Sequence, residues 1–131
     1  MRVLIADDQP TVRYALRILL GNQVGVEIVG EAENAGELIL QTRKTYPDLV
    51  LLDWELPGLA EAGSLVRLRQ VSQGLIVIAL SGRSESRRAA MAVGVNAFVS
   101  KVEPPERLLV AMFKYRYHIH DPARRLLHSE V

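Results

Sequence analysis

Five short apolar runs recur along the chain, and each is followed by a longer segment with the apolar spacing of one helix face. The runs are nearly continuous rather than alternating, which suits strands buried on both faces. Five such strand-helix units in series predict a three-layer α/β domain, a doubly wound parallel sheet with helices on both sides. A chain of 131 residues has room for one such domain and no second of ordinary size. Strand order cannot be read from the pattern alone.

Arg2 to Ala6 reads as the first strand, ending at Asp7-Asp8. Pro10 suits a first helical turn, and Val12, Leu16, Leu19 and Leu20 share a helix face before Gly21 and Gly25. Val26 to Val29 is the second strand, and Asn34 with Glu37 has the spacing of a capping pair for a helix to about Lys44. Leu49 to Leu52 is the third strand and runs into Asp53. Pro57-Gly58 marks a loop before a helix to about Gln70, with Leu65 and Leu68 inward. Leu75 to Leu80 is the fourth strand, followed by Ser81-Gly82 and by Ser84, a candidate cap for a helix that Gly94 ends. Ala97 to Ser100 is the fifth strand, and Pro104-Pro105-Glu106 opens a last helix with Leu108, Leu109, Met112 and Phe113 inward.

Composition narrows the chemistry. The chain has no cysteine, so thiol nucleophiles, thiolate metal sites and disulfides are excluded. A net charge of +1 argues against nucleic acid or an anionic membrane as the main partner. No apolar run approaches the roughly 18 residues of a membrane span, and the N-terminus lacks a signal-peptide pattern. These features point to a cytoplasmic protein.

Ligands of an open parallel sheet bind beyond the carboxyl ends of its strands. Here those ends carry Asp7 and Asp8, then Asp53, Ser81 and Lys101, while the second strand ends at Glu31-Ala32 and completes no obvious set. Clustered carboxylates suit a hard divalent cation such as Mg²⁺. A carboxylate can attack a phosphoryl group to form an acyl phosphate, provided the charge on the phosphoryl oxygens is neutralised. The metal, the ammonium and the hydroxyl meet that need.

The motifs V-L-I-A-D-D-Q-P, L-V-L-L-D-W-E-L-P-G, I-A-L-S-G and A-F-V-S-K stand in order at four strand ends. With them, residues 1 to about 116 resemble the receiver domain of two-component response regulators, most of all receivers joined to helix-turn-helix transcription regulators. The resemblance implies a flavodoxin-like (βα)5 fold with sheet order 2-1-3-4-5 and phosphorylation by a histidine kinase or phosphotransfer protein. It implies Asp53 as the phosphoacceptor, and Mg²⁺ held by Asp7, Asp8, Asp53 and the backbone carbonyl of Glu55. Lys101 would pair with one phosphoryl oxygen and Ser81 would donate to another, while Ser81 and Phe98 would act as the switch pair. The reshaped surface would be helix four, strand five and helix five, read by a downstream protein or fused output domain, with homodimerisation left open. Such a switch is no metabolic enzyme, catalysing only its own phosphorylation and dephosphorylation.

Some positions depart from the family pattern. Val102 follows Lys101 where proline with a cis bond is usual, Phe98 stands for a tyrosine, and the loop after Gly58 lacks a glycine near Glu61. Glu55 and Arg83 flank the site at positions that, as the resemblance implies, tune phosphoryl gain and loss, and they are expected to pair across its mouth. Two other readings compete. A haloacid-dehalogenase-type phosphatase shares the aspartyl nucleophile, but places it on the first strand as D-x-D, where this chain has adjacent aspartates and Gln9. A pseudo-receiver scaffold would act without phosphorylation. Residues 117–131 form a tail or the start of a linker, with His118, His120 and His128 as a weak zinc pattern and a mild positive charge insufficient for direct nucleic-acid binding.

Overall fold

The computed structural model describes residues 1–60 and 63–116, so the histidine-containing segment lies outside the described residues. Strands β1 (Arg2–Ala6), β2 (Glu27–Ala32), β3 (Leu49–Asp53), β4 (Ile76–Ser81) and β5 (Ala97–Ser100) pair in parallel in the order β2-β1-β3-β4-β5. Helices α1 (Pro10–Gly21), α2 (Ala35–Thr45), α3 (Ser64–Val71), α4 (Ser86–Ala92) and α5 (Pro105–Phe113) connect them and end the domain. This is the flavodoxin-like order that the sequence resemblance implied.

The continuous apolar strands are explained by two separate cores. One face of the sheet packs Leu4, Val50, Leu52 and Val77 against Leu38 of α2, Leu68 of α3 and Ala90 of α4. The other face packs Ile5, Leu49, Leu51 and Ile78 against Leu20 of α1 and Leu108 and Met112 of α5. Every residue of β3 and β4 is buried, so neither strand has a polar face to alternate with.

Local signals decide most boundaries. The Asn34 side chain accepts from the Glu37 N–H at 2.8 Å, and the Glu37 carboxylate accepts from the Glu33 N–H at 2.8 Å, a reciprocal start for α2. β2 runs on to Ala32, past the end of its apolar run, because its partner β1 continues the ladder from Leu4↔Gly30 to Ala6↔Ala32. α3 begins later than Pro57-Gly58 suggests. Gly58 sits at φ +83, and its carbonyl accepts the Ser64 hydroxyl at 3.0 Å, which closes the loop onto the helix start. Ser84 does not cap α4. Ser86 N–H donates to Arg83 and Arg87 N–H to Ser84, both through backbone carbonyls, so Ser84 lies inside a tight turn and α4 has no side-chain cap.

Candidate functional site

The β1–α1 turn is built by its own aspartate. The buried Asp7 carboxylate accepts from the Gln9 N–H at 2.9 Å, and the Asp7 N–H donates to the Ala32 carbonyl at 3.0 Å. Asp53 repeats the arrangement at the end of β3, its Oδ1 accepting from the Glu55 N–H at 3.1 Å. Short aspartate side chains can hold such turns while leaving the second oxygen for other work.

Lys101 follows β5, and its N–H donates to the Ser81 carbonyl at 2.8 Å, which fixes where the side chain starts. Its ammonium donates to Asp7 Oδ2 at 2.8 Å and lies 3.3 Å from Asp53 Oδ1. The Lys101–Val102 peptide is trans, as are all peptide bonds among the described residues. The missing proline therefore does not keep the lysine from the aspartates.

Three carboxylates compete for that one ammonium. Asp7, Asp8 and Asp53 each offer an oxygen, all within 4.8 Å of one another, with Asp7 and Asp53 buried and Asp8 exposed. Burial first, and the nearby Asp7 charge, push the Asp53 carboxyl above its ordinary value, against the lowering effects of the Glu55 N–H and Lys101. For Lys101, burial works to lower the pKa. The hydrogen bond to Asp7 and the charges of both aspartates outweigh it, and the ammonium is held above its ordinary value. An excess of negative charge on hard oxygen atoms is the donor chemistry that a divalent cation such as Mg²⁺ suits.

Ser81 is fully buried at the end of β4, where its hydroxyl donates to Glu55 Oε1 at 2.6 Å and accepts from the Arg83 N–H at 3.0 Å. Glu55 thus engages Ser81, and among the described residues no ion pair joins it to Arg83. In place of the expected bridge across the mouth, the Glu55 carboxylate takes the Ser81 hydroxyl as its partner. Phe98 is buried with the α2, α3 and α4 core, and the Arg87 guanidinium stands 4.9 Å from its ring centroid. Strand-end reasoning missed one participant. Arg13 reaches back from α1 to the Asp7 carbonyl at 2.7 Å, and a helix position one turn beyond the loop gives no spacing signal for that contact.

An aspartate beside an ammonium, with further carboxylates at hand for a cation, is chemically equipped to receive and hold a phosphoryl group. Residues 3–113 match the family described as the response regulator receiver domain. The chain belongs to that family. It is 37% identical over 102 residues to the fimbriae Z protein of Salmonella typhimurium, covering 76% of this chain and 48% of that protein. With the nitrate/nitrite response regulator protein NarL of Escherichia coli it shares 31% identity over 112 residues, 84% of this chain and 52% of the relative. The chain therefore spans about half the length of these curated relatives. Among solved structures, the LuxR-family two-component response regulator from Aurantimonas sp. SI85-9A1 matches with a TM-score of 0.78 and 30% identity, over 86% of this chain and 82% of that one. The isolated REC domain of RcsB from Salmonella enterica serovar Typhimurium, solved with the phosphomimetic BeF3-, matches with a TM-score of 0.75 and 27% identity, over 87% and 88% of the two chains. This receiver domain is a signalling module of two-component systems, related to transcription regulators, rather than a metabolic enzyme. Among the described residues, no helix is long and apolar enough to cross a membrane.

Proposed function

We propose that this receiver domain is a switch thrown by phosphorylation of Asp53, with a histidine kinase or phosphotransfer protein as donor. The supporting observation is the buried Asp53 carboxylate 3.3 Å from the Lys101 ammonium, in a corner shared with oxygens of Asp7 and Asp8. A carboxylate oxygen of Asp53 attacks the phosphorus of a phosphohistidine. The P–N bond breaks, its electron pair stays on the imidazole nitrogen, and that nitrogen takes up a proton. Asp7, Asp8, Asp53 and the Glu55 backbone carbonyl would hold Mg²⁺, which supplies positive charge for the phosphoryl oxygens when bound. Lys101 trades its contact with Asp7 for one phosphoryl oxygen. Ser81 turns its hydroxyl from Glu55 to another.

The domain also catalyses the reverse loss of the group, when water attacks the phosphorus and Asp53 leaves as carboxylate. Glu55 and Arg83 set the rate by shaping access to that water. Movement of Ser81, with Phe98 packed inside, reshapes the surface of α4, β5 and α5. Its reader is a downstream protein or a fused output domain, with transcription as the output in keeping with the relatives. The setting is the cytoplasm, and the domain itself contacts neither nucleic acid nor membrane.

Incubation with acetyl phosphate, with and without Mg²⁺, tests the acceptor. Intact mass should rise by one phosphoryl group in wild type with Mg²⁺, and not in Asp53→Ala. A gain that persists in Asp53→Ala rejects the assignment, and no gain in wild type favours a phosphorylation-independent scaffold.

A further inference from the structure

Arg13 is a largely buried cation near the site that the phosphoryl chemistry does not use, its side chain only 12% exposed. The guanidinium makes three separate contacts. Nη1 donates to the Asp7 carbonyl at 2.7 Å, Nε to Glu31 Oε1 at 3.0 Å, and Nη2 to Glu33 Oε1 at 3.3 Å. These acceptors lie at the end of β1, near the end of β2 and just beyond β2. Arg17 holds the second Glu31 oxygen at 3.1 Å and, among the described residues, makes no hydrogen bond to Asp7.

Apart from Arg13 and the Asp7 N–H bond to the Ala32 carbonyl, the β1–α1 turn has few ties. Its helix starts after Gln9, which offers no side-chain cap, and the first turn of α1 carries no acidic residue. The turn is held on one side by the Asp7 carboxylate itself, through Gln9 N–H and Lys101. Both oxygens of that carboxylate are thus engaged in holding structure before any cation arrives. In the proposed reaction Lys101 leaves Asp7, so the contacts that spare the carboxylate become its anchors: the Asp7 N–H bond to the Ala32 carbonyl and the Arg13 clamp. The contact from Arg13 goes to the carbonyl and meets this need.

We propose that Arg13 is a positioning residue for divalent-cation binding. It holds the Asp7-Asp8 turn against the end of β2, so that the Asp7 carboxylate can exchange Lys101 for a cation without the turn moving. The inference rests on the phosphoryl-site reading above. Its sign separates it from simple electrostatics. Removing a cation beside a cation site should tighten Mg²⁺ if charge alone acts. Losing the clamp should weaken it. Glu31 and Glu33 offset the guanidinium charge, which leaves geometry as its main contribution.

The test is Mg²⁺ affinity in the unphosphorylated protein, read from emission of Trp54, the single tryptophan and the neighbour of Asp53. Arg13→Ala should raise the dissociation constant by roughly tenfold, as loss of an outer-shell partner does. Arg13→Lys keeps the charge but not the planar fork, and should fall between Arg13→Ala and wild type. Arg17→Ala removes a Glu31 ion pair of similar length and should bind Mg²⁺ as wild type does, which separates the clamp from a general loosening of the β2 edge. Unchanged or tighter binding in Arg13→Ala, with wild type responding normally, overturns this inference alone. If Arg13→Ala does not fold, wild-type affinity in Arg13→Lys overturns it equally. A wild type with no response to Mg²⁺ overturns both this inference and the reading on which it rests.

Discussion

Asp53 and Lys101 are displaced in the same direction for opposite reasons, and stability should register both. Because the folded state holds the Asp53 carboxyl above its ordinary value, it binds that proton more readily than the unfolded chain does. Stability therefore falls as pH rises from the ordinary Asp range through the folded value, and stays lower above it. Asp53→Asn removes the repelled carboxylate while Asp7 keeps Lys101. In Mg²⁺-free buffer, urea unfolding should find it more stable than wild type at pH 7, with the gap closing toward pH 4. A variant no more stable at pH 7 would count against the reading of the site as electrostatically strained. The Lys101 ammonium is instead favoured by folding, so its contribution is complete below its ordinary pKa and is lost as pH rises through the raised folded value. Lys101→Met leaves Asp7 without its charged donor and should cost about 1–3 kcal/mol at pH 7, discounted because the lysine is partly exposed.

Elements depend on local rules to different degrees. The Asn34 cap of α2 was legible from the spacing to Glu37, and Asn34→Ala should cost about 1 kcal/mol. Ser84 has the same residue chemistry but lies inside a turn closed by backbone hydrogen bonds, so Ser84→Ala should leave the melting temperature within error. Thermal unfolding of the two variants side by side decides between cap and turn. β3 makes a second contrast. Leu51 and Leu52 point to opposite faces, yet both are fully buried, in separate cores. Alanine at either position should cost about 2–5 kcal/mol in chemical denaturation. A large cost at only one of them would mean that one face of the sheet is poorly covered.

At the scale of the molecule, the site exists only while the whole sheet does. Lys101 and Asp7 are 94 residues apart in sequence and meet across the ends of β4 and β3, which the sheet sets between their strands. Both cores rest on the same central strands, so neither side can unfold and leave the other with a covered sheet. Far-UV circular dichroism and Trp54 emission should therefore report one coincident transition in urea. A Trp54 transition at clearly lower denaturant would show that the site loops open independently of the sheet.

Strand runs, most helix-face positions and the residues at the strand ends were readable without coordinates, because burial on two faces forces continuous apolar strands and because strand ends are where such a sheet leaves room for polar side chains. Val12 and Phe113, expected to face inward, belong to neither core. The order of the strands was not a product of that periodicity; only the resemblance to receivers supplied it, and packing of helices on both faces realises it. Val102 left the lysine's position open, since peptide geometry depends on the surrounding loop, and the trans bond still brings Lys101 to both aspartates. Which partner Glu55 takes, Ser81 rather than Arg83, depends on distances of a few ångströms between two separate loops. The same holds for Arg13, whose hold on the Asp7 carbonyl joins a helix to the turn before it. Sequence alone determined Asp53 and its company of Asp7, Asp8, Ser81 and Lys101, because each is set by its place at the end of a strand. Tertiary structure alone decided which atoms they touch, because hydrogen bonds and ion pairs are settled by geometry that no linear spacing contains.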